Sequence, residues 1–131
     1  MRVEPDLARD IARLIATIRI LIGIAAVLAP RRAAQVLLRD RPSVGTTTLM
    51  RMFGGREIAL GLGTVLAGRR DSAALRGWVE AGALIDAGDV LALLADRGRG
   101  VRGLLRLAAS AGAVGATVAA LAVSRSLPSS R

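Results

Sequence analysis

Four apolar segments of nearly equal length dominate this chain: residues 11–29, 49–67, 75–95 and 103–123. Each contains 19 to 21 residues. A helix of that length, at about 1.5 Å per residue, matches a bilayer's hydrocarbon core of about 30 Å, whereas helices of soluble proteins average about 11 to 12 residues. Gly, Pro and Arg occupy the connections, where helices end and charges stay in water. The pattern predicts an all-α fold, specifically a four-helix transmembrane bundle running up-down-up-down.

The predicted membrane domain covers residues 1–123, and residues 124–131 form a polar tail. A soluble four-helix bundle of the same topology is the alternative, because charges interrupt the first three segments. Residues 107–124 argue against it, since 18 consecutive residues carry no charge. A helix that is apolar all round needs lipid or a complete protein jacket. We therefore expect a multi-pass protein integral to a cell membrane, with the lipid bilayer as its partner.

Composition and charge exclude several classes of function. The chain has no Cys, His or Tyr, so thiol and imidazole chemistry are absent. All 19 basic residues are Arg, against 10 acidic residues. We define side A as the face reached by loops 30–48 and 96–102, and side B as the face with both termini and loop 68–74. Because eight arginines flank each side, the membrane orientation is undetermined and no basic face is offered to a nucleic acid.

Five charges of the first three segments fall at a common depth, six to ten residues below side A, or about 9 to 15 Å: Arg19, Arg56, Glu57, Asp86 and Asp89. Arg51 lies two residues in, and its long stem can reach that level. The predicted cluster therefore comprises Arg19, Arg51, Arg56, Glu57, Asp86 and Asp89. Six uncompensated charges would cost on the order of 15 to 20 kcal/mol in a membrane, so these groups must pair across helix interfaces. Asp86 and Asp89 share one helix face and could together hold a bidentate guanidinium.

Two interpretations of this cluster remain open. In one, the ion pairs only fix which helix packs on which. In the other, the cluster is a polar pocket, reached from side A, that binds a ligand headgroup or moves a proton. The three carboxylates would also suit a hard cation, but arginines at the same depth repel one. We predict neither a metal nor a cofactor.

Small residues recur at helix-packing intervals. In the fourth segment they are spaced by four: Ala108, Gly112, Ala116 and Ala120. Such a stripe lets another helix approach closely, either within the chain, in a homo-oligomer or in a membrane partner subunit. Four glycines of the second and third segments are expected to serve the hairpin that assembles the charges: Gly54, Gly61, Gly82 and Gly88.

The string RMFGGRE at 51–57, followed by LIDAGD at 84–89, resembles a family of small four-span membrane proteins known as domain of unknown function 4267, similar in layout to DoxX-like proteins. The resemblance covers about residues 11–123. It implies a four-span membrane fold and no established activity. DoxX-like proteins are associated with membrane redox assemblies, but this chain lacks the Cys, His and Tyr that such chemistry would use.

The leading functional hypothesis is a non-catalytic subunit, or a module binding a lipid or a lipophilic small molecule, with a buried Arg-carboxylate network. One alternative is an intramembrane isomerase or cyclase of a lipophilic substrate, in which Asp86 or Asp89 is the general acid or base and Glu57 is a further candidate. Another is a component of a proton-coupled transporter that uses the same carboxylates. The sequence also contains G-x-G-x-x-G at 98–103, but without a preceding strand it does not indicate a dinucleotide site.

Overall fold

The computed structural model describes residues 4–38 and 42–95. Within those ranges the chain forms four helices and no strand: α1 (Pro5–Leu28), α2 (Pro30–Leu38), α3 (Val44–Gly68) and α4 (Ser72–Ala95). The all-α prediction is confirmed, and the first three apolar segments correspond to α1, α3 and α4. The fourth segment, with its stripe at Ala108, Gly112, Ala116 and Ala120, lies outside the described residues, as does the expected domain limit at residue 123.

Local sequence sets the start of each long helix. α1 begins with Pro5, whose missing N–H would be unpaired in a first turn anyway. α3 begins with a capping box: Ser43 Oγ accepts from the backbone N–H of Thr46 at 3.1 Å, and Thr46 Oγ1 accepts from that of Ser43 at 2.7 Å. α4 follows Asp71, whose Oδ1 accepts from the backbone N–H of Ala74 at 2.7 Å.

The connection expected over residues 30–48 contains a helix, α2, which the sequence analysis missed. Pro30 ends α1, because the residue before a proline is disfavoured in helical conformation, and Ala29 accordingly has φ −126°. Pro30 also begins α2, because its fixed φ suits the first position of a helix. The helix buries Ala34 and exposes Arg31 and Arg32.

The three long helices run up, down and up, and α1 and α3 are in direct backbone contact. A Cβ added to Gly54 would lie 2.6 Å from the carbonyl oxygen of Gly23, and one added to Gly61 would lie 2.6 Å from that of Ala16. Residues early in α1 thus face residues late in α3, so these helices are antiparallel. α4 is antiparallel to α3 in turn, and Trp78 packs on Gly63.

The glycines of α3 serve a different interface from the one expected. Gly54 and Gly61 pack on α1 rather than on α4, so their assignment to the α3–α4 hairpin is wrong. A Cβ at Gly88 would meet no described atom within 4 Å, so that expectation fails as well. On α1 the matching face is a stripe of small residues that the sequence analysis overlooked: Ala8, Ala12, Ala16, Gly23 and Ala26.

Among the described helices, α1 is long and apolar enough to cross a membrane by length and composition. Its outer face carries large apolar side chains, with Leu14 60%, Leu21 61% and Leu28 79% exposed. The charges carried by α3 and α4 reduce their apolar character, and four of them, Arg56, Glu57, Asp86 and Asp89, pair with other charges.

Gly54→Ala should destabilise the protein by about 1–3 kcal/mol, because the new methyl group would push α1 and α3 apart. Gly55→Ala is the matched control: its Cβ would meet no atom of residues 4–38 and 42–95 within 4 Å, so it should gain up to about 1 kcal/mol from helix propensity. Thermal unfolding followed by circular dichroism measures both. Equal melting temperatures for the two variants would contradict the close contact.

Candidate functional site

Arg19 of α1 lies between carboxylates of the other two long helices. Its Nη1 donates to Oε2 of Glu57 on α3 at 2.7 Å, and its Nη2 donates to Oδ2 of Asp86 on α4. The side chains of all three are at most 12% exposed. Gly82 of α4 lies beside the guanidinium, since a Cβ there would be in ordinary van der Waals contact with Nη2, at 3.7 Å. One arginine therefore connects three helices through charge-assisted hydrogen bonds.

Arg56 of α3 forms a second connection to α4. Its Nη1 and Nη2 donate to Oδ1 and Oδ2 of Asp89 at 2.9 and 2.6 Å, which is the parallel bidentate arrangement typical of arginine and carboxylate. The guanidinium carbon also lies 5.0 Å from the ring centroid of Phe53, within cation–π range. Phe53 was not singled out from the sequence for this role, although its i,i+3 spacing from Arg56 indicates a contact.

Glu57 links the two connections into one network. Its Oε2 accepts from Arg19, and its Oε1 accepts from Arg56 Nη2 at 3.2 Å. Signs therefore alternate along the series Asp86, Arg19, Glu57, Arg56 and Asp89. The side chains of Asp86, Arg19 and Glu57 are 11%, 12% and 6% exposed, and exposure then rises to 31% at Arg56 and 44% at Asp89. The network has a buried end at Asp86 and an open end at Asp89.

The structure brings together five of the six residues expected in the cluster; Arg51 is exposed and makes no ion pair with the described residues. These five meet at a common level along the helices, as expected, but the direction in which Arg51 points around α3 was not predicted. Six residues separate Arg51 from Glu57, which places the two about 120° apart around α3. The two aspartates also hold different partners, Arg19 for Asp86 and Arg56 for Asp89, so the shared guanidinium expected for them is not formed.

The sequence predicted a balance of three arginines and three carboxylates. Because Arg51 is not part of the network, that balance is not observed. Within the part of the chain that the structure describes, the network contains two guanidinium groups and three carboxylates, an excess of one negative charge when all five groups are ionised. Among the described residues, Arg56 Nε is buried and has no hydrogen-bond partner. The open end thus combines the more exposed carboxylate, Asp89, with an arginine that retains one unused donor.

The cleft beside Arg19 and Asp86 is small. It has a volume of about 30 Å³ and is otherwise lined mainly by apolar side chains, including Leu60 and Trp78. Thr64 also borders it, but its hydroxyl donates to the carbonyl of Leu60 at 2.8 Å. One water molecule occupies about 30 Å³ in the liquid, whereas small-molecule sites have volumes of about 300–1,000 Å³. In this conformation the cleft has room for a water molecule and not for a substrate.

The carboxylates do not form a metal site within residues 4–38 and 42–95, where no group of three or more potential ligands is arranged for an ion. Glu57, Asp86 and Asp89 each bind a guanidinium instead. Each of the three carboxylates therefore has at least one oxygen in an ion pair.

A family model described as Domain of unknown function (DUF4267) matches residues 16–122. The chain belongs to this family. The matched range includes all five residues of the network, so the ion pairs lie within the DUF4267 domain. No curated protein and no solved structure matches the chain significantly. The DoxX-like layout stays a prediction.

Arg19→Met should destabilise this DUF4267 protein by about 3–5 kcal/mol, because it leaves two buried carboxylates without their partner. Arg51→Met makes the same chemical change at an exposed position on α3 and should shift stability by less than about 0.5 kcal/mol. Melting temperatures of the purified variants test both. An Arg51 variant as unstable as the Arg19 variant would show that the network has been assigned to the wrong residues.

Proposed function

We propose that this DUF4267 protein is a multi-pass integral membrane protein that acts as a non-catalytic subunit, with the Arg-carboxylate network holding its helices in register. The observation that carries the proposal is the reversed distribution of polarity. Glu57 and Asp86 are 4% and 8% exposed, while Leu21 and Leu84 are 61% and 76% exposed. In water this arrangement would leave large apolar surfaces hydrated, at about 25 cal/mol per Å².

A bilayer removes that cost. The exposed leucines would contact lipid chains, and the charges would be neutralised by one another inside the bundle, as intramembrane ionisable groups usually are. On this account the charges of α3 and α4 do not argue against membrane insertion, because Glu57 and Asp86 are buried in ion pairs and Arg56 and Asp89 pair with each other. The small residues of α1 fit the same setting, since close backbone approach replaces the hydrophobic effect as a source of helix association in lipid.

A non-catalytic role is favoured over an intramembrane enzyme by the state of the candidate acids. Asp86, Asp89 and Glu57 all bind guanidinium groups, and the cleft next to Asp86 has space for one water molecule. A general acid or base must be within hydrogen-bond reach of a bound substrate. The described residues form an ion-pair network that is well suited to fixing helix positions, and they enclose no substrate-sized cavity at it.

Because the chain has no cysteine, single cysteines can report the membrane topology without background. Leu21→Cys should resist a water-soluble maleimide in intact membranes, because its position is about 10 Å along α1 from Leu28 and faces lipid. Gly45→Cys and Arg69→Cys lie at the two ends of α3 and should react from opposite sides of sealed vesicles.

Labelling after denaturation in detergent is the control, and all three cysteines should then react equally. In a soluble bundle the outer face of α1 would be in water, so Leu21→Cys would label natively as fast as Gly45→Cys. That outcome would overturn the proposal, as would labelling of Gly45→Cys and Arg69→Cys from the same side.

Asp86→Asn tests whether this acid is architectural. We expect a loss of about 1.5–3 kcal/mol, because the carboxylate partner of a buried arginine becomes an uncharged amide and the ion pair is lost. Asp10→Asn is the control, at an exposed residue whose ion pair with Arg13 measures 3.6 Å, and should have little effect. If Asp86→Asn has the same melting temperature as the wild type, Asp86 is not needed for the fold. The enzyme and proton-transport hypotheses then explain the presence of this acid better.

A further inference from the structure

A second cleft, of about 190 Å³, lies at side B, where the beginning of α1 meets the turn between α3 and α4. It is far larger than the space beside Arg19 and more polar. Its polar lining comes from Arg9 and Arg13 of α1, from Arg70 and Asp71 of the turn, and from Ser72 at the start of α4. The volume is several times that of a water molecule, about 30 Å³. This cleft is not part of the buried network.

The charges in the cleft favour an anion. Three guanidinium groups line it against one carboxylate, Asp71, whose Oδ1 already accepts from the backbone N–H of Ala74. Arg9 donates to Ser72 Oγ at 3.2 Å, which fixes one guanidinium at the edge of the cleft.

The arginines also retain capacity for a ligand. The ion pairs of Arg9 with Asp6 and of Arg13 with Asp10 are long, at 3.4 and 3.6 Å, and solvent-exposed. Such pairs contribute little, so they compete weakly with a ligand. Forked guanidinium donors match the oxygens of a phosphate group.

The position of the cleft indicates where the phosphate would come from. Arg13 immediately precedes Leu14, and from Leu14 to Leu28 the exposed large side chains of α1 are apolar. If α1 crosses a bilayer, the guanidinium groups of Arg9 and Arg13 lie at the level of the lipid headgroups. We propose that this cleft binds the phosphate group of an anionic lipid in the side B leaflet. The proposal that the phosphate group belongs to a lipid rests on the proposed membrane topology. The proposal that the cleft binds a phosphate group rests on the cleft alone.

The test uses the full chain, delipidated in detergent, with phosphatidylglycerol, phosphatidylcholine and inorganic phosphate as probes. Binding is measured by native mass spectrometry and by the melting temperature. Arg13→Gln/Arg70→Gln removes two of the guanidinium groups of the cleft. Arg32→Gln/Arg69→Gln removes the same number of charges from exposed positions outside it, so it controls for nonspecific electrostatics.

We expect phosphatidylglycerol to bind the wild type and the control variant with equal affinity and to raise their melting temperatures by several degrees. Its affinity for the cleft variant should be at least tenfold lower. Should the double variant fail to fold, Arg13→Gln and Arg70→Gln singly should each weaken binding several-fold. Phosphatidylcholine should bind more weakly than phosphatidylglycerol, and inorganic phosphate should compete at millimolar concentration.

Equal binding by all variants, or no binding of phosphatidylglycerol, would overturn the proposal. If inorganic phosphate binds as tightly as phosphatidylglycerol, the proposal that the phosphate group belongs to a lipid is wrong. The cysteine-labelling experiment tests the membrane topology separately, so failure of the topology and failure of the cleft are distinguishable.

Discussion

The arrangement of this chain depends on the guanidinium group of Arg19, which is held between a carboxylate of α3 and a carboxylate of α4. Burying any one of these three charges alone would be strongly unfavourable. Together they cancel in part, and Glu57 extends the pairing through Arg56 to Asp89. Each long helix carries charged side chains that can be buried only in contact with charges of the other two helices. The ion pairs therefore specify which helices are neighbours and how they are aligned along their axes.

Close packing and ion pairing depend on each other here. A charge-assisted hydrogen bond requires about 2.7–2.9 Å between nitrogen and oxygen, which limits how far apart the helices can be. Gly54 and Gly61 sit on either side of Glu57 along α3, and each brings the backbone of α1 into contact. A larger residue at either position would move Arg19 away from Glu57. The small residues thus set the distance at which the charges meet.

The level of the network could be predicted from the sequence, because helical rise converts residue number into depth along antiparallel helices. Its composition was harder to predict. The prediction that Arg51 joins the cluster was wrong because the depth of a residue does not give its direction around the helix axis. The predicted partners of the glycines were wrong because residue spacing does not show which neighbouring helix a face contacts. Helix α2 was also not predicted from the sequence. A proline can mark the end of one helix or the beginning of the next, and Pro30 does both. The size of the cleft beside Asp86 required side-chain positions, and that size is what favours a scaffold over an active site.

The coupling free energy between Arg56 and Asp89 distinguishes a membrane bundle from a soluble one. It is measured in lipid bicelles from Arg56→Gln, Asp89→Asn and the double variant. These side chains are 31% and 44% exposed, so their surroundings decide the result. Facing lipid, the bidentate pair should couple by more than about 1.5 kcal/mol, toward the upper part of the range for directly interacting residues. Facing water, as an exposed pair on a soluble bundle, it should couple by less than about 0.5 kcal/mol, and that value would contradict a membrane bundle held together by buried charges.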